Sequence, residues 1–268
     1  DEDGNEFKRA STFIDENADV FNVTPFPKTK QGTSAERGTA IDTVIREYLE
    51  NPELTAVEIA GRLNTVFGSE IAKSGVTSNV KFNLQFGANL KSILDSFLTT
   101  LKDKGLVFTS KEVSFSVEVN NEKIAGTTDI IAYSPASGKY YIIDIKTSTR
   151  DRAENTKIHE NKDIAQQNIY RKALANHLGI SEDAISLHIL PLQITQAGAT
   201  ISKVVLSTAP SSKLPGTLDV STDRTIDEFF KKVIRLFEFL KHFDLRIFII
   251  RITAIQYNLT NSFSTYFQ

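Results

Sequence analysis

Two carboxylates and an amine stand at spacings that can do metal and acid–base chemistry: Asp129, then Asp144 and Lys146. The stretch Tyr140-Tyr-Ile-Ile-Asp-Ile-Lys146 is dense in β-branched and aromatic residues and follows the turn-like Ser134-Pro-Ala-Ser-Gly138, so it reads as a strand. Alternation along a strand puts Asp144 and Lys146 on one face and Ile143 and Ile145 on the other. Lys123 to Tyr133 also reads as a strand. If it returns through the turn with Tyr133 opposite Tyr140, counting places Asp129 opposite Asp144. The Cβ atoms of such a pair lie roughly 4.5–5.5 Å apart. Two carboxylates that close repel each other, and a shared hard cation relieves the conflict. One strand further back, Lys111 to Val119 alternates and joins the next strand through Asn120-Asn121, a pair that suits a tight hairpin. The same count sets Glu112 across from Asp129, as a further ligand or a group just behind the ligands, provided no bulge shifts the register.

Downstream, Ile164, Ala165, Ile169, Ala173, Leu174 and Leu178 recur near helical spacing and Gly179 follows them, which predicts a helix over Asp163–Leu178. Gln166 and Tyr170, four apart, share one of its faces. Both can bond phosphate oxygens or orient a water without adding charge beside a metal.

Taken in order, the Gly126-x-x-Asp129 strand, the Asp144-Ile-Lys146 strand and the Gln166-x-x-x-Tyr170 helix resemble the PD-(D/E)XK nuclease superfamily, in particular its RecB-like exonuclease branch. The resemblance covers about Thr33 to Ile194. It implies an α/β fold with a restriction-endonuclease-like αβββαβ core, a mixed central sheet flanked by helices. It further implies that Asp129, Asp144 and the Ile145 carbonyl bind Mg²⁺ or Mn²⁺, that Lys146 positions or activates the water, and that Gln166 and Tyr170 assist. Thr128 stands where the motif has proline. In the RecB-like pattern an Arg-Gly-Thr-x-x-His helix supplies a histidine ligand; here Arg37-Gly-Thr-Ala-Ile-Asp42 puts Asp42 in that place. An aspartate oxygen suits magnesium or manganese, so the change preserves the site with another metal preference or weakens it.

The elements around these residues follow from simpler patterns. Thr33-Ser-Ala-Glu36 has the capping-box form and predicts a helix to about Glu50, buried through Ile41, Val44, Ile45, Tyr48 and Leu49. A short helix near Thr55–Phe67 follows, then a longer one over Leu84–Lys104 with an apolar face of packing residues. Later strands are expected near Ala184–Thr195 and Ala199–Thr208, with His188 packed inside the first. Ser148 to Lys162 reads as a polar loop, and its Arg150 and Lys157 are placed to touch a nucleic-acid strand. Residues 1–32, with Pro25 and Pro27, read as an arm or linker, 33–243 as the nuclease domain, and 244–268 as a tail of no assigned role. A further amphipathic helix is expected over Asp223–Phe243.

Composition sets the outer bounds. The 268 residues are 40% hydrophobic and 24% charged, enough for one sizeable core. A formal net charge of -2 gives no global pull on nucleic acid, so contact with DNA has to come from a local groove and from metal ions. The absence of cysteine excludes disulfides, thiolate zinc and an iron–sulfur cluster, and with it the RecB-like branch that carries one. The acidic opening lacks the form of a secretory signal, no run is long enough for a membrane span, and the chain reads as cytoplasmic. With no methionine at position 1 or elsewhere, it reads as beginning inside a longer or processed product. The expected function is Mg²⁺-dependent hydrolysis of DNA by an exonuclease of replication, recombination or phage DNA processing, with DNA and other replication or recombination proteins as partners. The alternatives are a restriction- or resolvase-type endonuclease and a nuclease fold kept for binding or structure.

Overall fold

A computed structural model describes residues 7–23, 33–109, 112–149, 156–206, 214–215, 217–222 and 225–230, the side chains of 156–160 excepted. By internal contacts the chain divides into two units, Asp1–Ile226 and Asp227–Gln268. Beyond residue 230 the second unit lies outside the described residues, as do most of the helix expected over Asp223–Phe243 and the whole 244–268 tail.

In chain order the elements are β1 (Lys8–Arg9), α1 (Ala10–Glu16), α2 (Ala18–Phe21), α3 (Ser34–Glu50), α4 (Ala56–Ser74), β2 (Lys81–Phe82) and α5 (Leu84–Asp103). There follow β3 (Val107–Thr109), β4 (Val113–Val119), β5 (Glu122–Thr128), β6 (Ile130–Ser134), β7 (Lys139–Ser148), α6 (Thr156–Leu178), β8 (Ile185–Ala197), β9 (Thr200–Leu206) and β10 (Leu218–Asp219). One sheet runs β2-β9-β8-β7-β6-β3, with β10 also on β8; a smaller one runs β1-β5-β4. β7 is antiparallel to β6 and parallel to β8. A parallel neighbour requires a crossover, and α6 provides it.

Both hairpin registers are those counted from the turns. Asn120 and Asn121 adopt φ of 50° and 63°, the left-handed pair of a two-residue turn, and set Val119 against Glu122. Gly138, at φ 66°, closes the β6–β7 turn and leaves Tyr133 against Tyr140. The continuous strand expected over Lys123–Tyr133 is instead broken at Asp129, and its halves, β5 and β6, belong to different sheets.

Helices α3, α4 and α5 cover one face of the larger sheet. Ile41, Val44 and Ile45 of α3, Leu63 of α4, and Leu90 and Leu94 of α5 form a buried cluster with Ile143 and Ile145 of β7 and Leu190 of β8. Burying each such side chain is worth about 1.5–3 kcal/mol. A one-residue slip of β7 would expose both isoleucines and drive Asp144 and Lys146 into the apolar layer, so packing locks the register that aims the two charged groups at α6.

Several boundaries differ from expectation. Thr33 makes no side-chain capping bond, whereas Thr55 forms a full capping box with Glu58, its Oγ1 accepting from Glu58 N at 3.3 Å while Glu58 Oε2 accepts from Thr55 N at 2.8 Å. Helix α4 runs on to Ser74, well past Phe67, and stops at the left-handed Gly75. Helix α6 starts at Thr156, so half of the polar stretch expected as a loop is helical. The supposed N-terminal arm contains β1, which pairs with β5, and α1, whose Phe13 and Ile14 are fully buried. Residues 1–6 and 24–32 lie outside the described residues.

Candidate functional site

The break at Asp129 shapes the site. Main-chain pairing of β6 with β7 ends at Ile130–Ile143, and one position on, the Asp129 carboxylate takes over: its Oδ2 accepts a hydrogen bond from Ile145 N at 2.7 Å. The strand stops pairing because a side chain has replaced the main-chain acceptor, and that bond fixes the carboxylate beside Asp144. Asp144 is only 3% exposed and forms an ion pair with Lys146. Lys146 Nζ also donates to Gln166 Oε1 at 3.1 Å, and Gln166 Nε2 donates to Tyr170 Oη. A continuous polar chain therefore runs from β7 onto α6. It ends where the Tyr170 ring meets Phe115 edge-on, with centroids 4.9 Å apart.

Gly126 makes that ending possible. A Cβ there would fall 2.7 Å from Tyr170 Cε1 and 3.1 Å from Phe115 Cζ. The glycine of the Gly126-x-x-Asp129 stretch is the space into which the tyrosine packs.

From the opposite side α3 brings Asp42. Its Oδ2 pairs with Arg46, one turn along the helix, at 2.6 Å, and Arg46 also pairs with Glu112. Asp42 Oδ1 is buried and accepts no hydrogen bond. Glu112 is about half exposed (52%) and engages Arg46; the β4–β5 pairing ends one position short of it, at Val113–Thr128.

The electrostatics mark a cluster short of positive charge. Burial, then the nearby Asp144 and Asp42 carboxylates, push Asp129 up to about 8, against the Ile145 amide, which favours its anion. Burial pushes Asp42 up to about 6, opposed by Arg46 and aided by Glu112 and Asp144. Burial also acts to lower Lys146, but Asp144, Asp163 and Asp129 outweigh it and hold the ammonium above the ordinary lysine value. Tyr170 is pushed up to about 12, chiefly by burial.

Among the described residues no three His, Asp or Glu side chains stand in a finished ligand arrangement. The donors are nonetheless those a hard divalent ion takes: carboxylate oxygens, one of them an orphan, in a cluster where burial first and neighbouring carboxylates second oppose the ionisation of Asp129 and Asp42. The residues present fit such an ion.

Of the residues singled out in the sequence, the structure gathers Asp129, Asp144, Lys146, Gln166 and Tyr170 into one network, with Ile145 bonded to Asp129 and Asp42 and Glu112 joined by Arg46. Arg150 lies outside the described residues, and of Lys157 only the main chain, helical in α6, is described. His188 is fully buried in β8 with Nδ1 3.0 Å from Thr217 Oγ1. Sequence reading missed Arg46, although its i+4 spacing from Asp42 was a usable signal. It also missed Asp163, a buried acid one turn before Gln166, and Phe115.

A family model described as the PD-(D/E)XK nuclease superfamily matches residues 18–245. The chain belongs to that superfamily. The mixed sheet flanked by helices is its restriction-endonuclease-like fold, and phosphodiester hydrolysis is the chemistry the superfamily is named for. Among solved structures, a protein named "Putative exonuclease" from Eubacterium rectale is 14% identical with a TM-score of 0.41, over 86% of this chain and 77% of that one. The protein SSO0001 is 15% identical with a TM-score of 0.31, over 78% of this chain and 88% of that one. Both likenesses are too remote to bear on function. No curated protein sequence matches the chain. Members of the superfamily generally use divalent metal ions. No helix among the described residues is long and apolar enough to cross a membrane.

Proposed function

We propose that this chain is a metal-dependent deoxyribonuclease of the RecB-like type, and that it degrades DNA from free ends. The observation that carries the reading is the convergence of Asp129, Asp144 and Lys146 at the point where β6 stops pairing with β7. Asp129, Asp144 and the Ile145 carbonyl would hold a Mg²⁺ or Mn²⁺ ion, with Asp42 offering Oδ1. That ion, when bound, supplies Lewis acidity at the phosphate and a lowered pKa for a water.

The remaining roles belong to the chain. Lys146, paired with Asp144 and bonded to Gln166, would hold the attacking water in line and offset charge developing on the phosphate. Gln166 accepts from Lys146 and donates to Tyr170, which fixes the ammonium in place; a neutral amide does this without competing for the ion. Tyr170 remains a phenol, since burial keeps its proton on. Arg150 and Lys157 are proposed to touch the DNA backbone near the site.

The test compares linear with covalently closed circular DNA in the presence of Mg²⁺. Digestion of the linear form alone supports the exonuclease. Nicking of the closed form would replace that reading with an endonuclease. DNA binding without cleavage of either would mean a nuclease fold kept for binding.

A further inference from the structure

Arg46 is a second cation built into the acidic cluster. Its guanidinium is only 17% exposed and joins acids from two separate elements, Asp42 of α3 at 2.6 Å and Glu112 just before β4, and it also lies in the field of Asp129. A planar guanidinium binds two carboxylates in a fixed fork that a mobile ammonium does not reproduce. The carboxylates acting on one another here are Asp42, Glu112, Asp129 and Asp144, and the fixed cations among them are Arg46 and Lys146. A second ion on the α3 side would have to displace Arg46 from both of its partners.

Building on the nuclease reading above, we propose that Arg46 permanently occupies the place of a second metal ion: the site takes one divalent cation, at Asp129 and Asp144, with Asp42 lending only Oδ1 and Glu112 serving to hold Arg46. Arg46 is thus a positioning residue that sets metal stoichiometry.

The experiment titrates the chelator-treated full chain with Mn²⁺ and counts bound ions from the loss of the free-ion paramagnetic resonance signal. Wild type is expected to bind one ion per chain. Arg46→Ala is expected to bind a second, weaker by about tenfold or more. Two ions on wild type, or a single ion on a folded Arg46→Ala, would overturn the proposal. Should Arg46→Ala fail to fold by circular dichroism, Glu112→Gln decides, because that side chain is half exposed and its replacement is tolerated. One ion with affinity within about threefold of wild type is expected, and a loss of about tenfold would make Glu112 a ligand and overturn the assignment. Asp144→Ala in the same titration separates the two levels. It should bind no ion, and if it binds one as wild type does, the Asp129–Asp144 site itself fails, whatever Arg46 does.

Discussion

Replacing Gly126 by alanine is the smallest change that tests whether the polar chain from Asp144 to Tyr170 matters. The added Cβ would sit 2.7 Å from Tyr170 Cε1 and 3.1 Å from Phe115 Cζ. Carbon atoms rest at roughly 3.5 Å or more, so the tyrosine ring must retreat by about 0.8 Å or the strand must shift. Phe115 already packs against that ring, and Tyr170 Oη accepts from Gln166, so the displacement passes to Gln166 and from it to Lys146. Overpacking costs about 1–3 kcal/mol, reduced by up to about 1 kcal/mol because alanine restricts the unfolded chain. At roughly 2–4 °C per kcal/mol for a domain of this size, Tm should fall by several degrees. A displacement near 1 Å at a positioning group costs about 10²-fold in rate, and kcat is expected to carry that loss while Mn²⁺ affinity stays near wild type, since Asp129 and Asp144 do not move. The assay is Mg²⁺-dependent release of nucleotides from linear DNA, with a thermal melt on the same samples. A Gly126→Ala protein with wild-type rate and Tm would refute the reasoning, because it would mean that the ring position is irrelevant.

Two other predictions follow from the charges and the caps. Asp129, pushed up to about 8, and Asp42, up to about 6, hold protons in the folded metal-free protein that the unfolded chain has released, so their contribution to stability is present in acid and is lost as pH rises from about 4 through 6 and 8. Melting the chelator-treated protein against pH should show that fall, Mg²⁺ should reverse it, and Asp129→Asn should raise Tm at pH 8 while abolishing cleavage; a metal-free Tm no higher for Asp129→Asn would refute the burial of charge there. Thr55→Ala removes the capping box of α4 and should cost about 1 kcal/mol in denaturant melts with no change in cleavage rate, whereas Thr33→Ala, at a helix start with no side-chain bond, should cost much less.

The hairpins were legible because turn chemistry is local: Asn120-Asn121 and Gly138 each require a left-handed backbone, and the registers follow from them by counting. Helices α3 and α5 were legible from their apolar stripes. The break at Asp129 was not, since Thr127-Thr128-Asp129-Ile130 carries no turn residue that forces it; the cause is a carboxylate capturing an amide sixteen residues away, a tertiary event. The packed N-terminal segment was hidden for a similar reason. Phe13, Ile14 and Phe21 are buried, but across elements as short as α1 and α2 they make no periodic pattern. At the site, the spacing of Asp129, Asp144 and Lys146 carried the signal, while Arg46 and the space at Gly126 became meaningful only once α3 and α6 stood against the strands.

The most direct measurement is digestion of end-labelled linear DNA with Mg²⁺ by wild type and by Asp144→Ala, with circular dichroism to verify that both are folded. Wild type should release nucleotides and lose that activity to chelator, and the folded variant should be inactive. A folded Asp144→Ala protein that digests DNA at the wild-type rate would contradict the assignment of the reaction to the cluster of Asp129, Asp144 and Lys146.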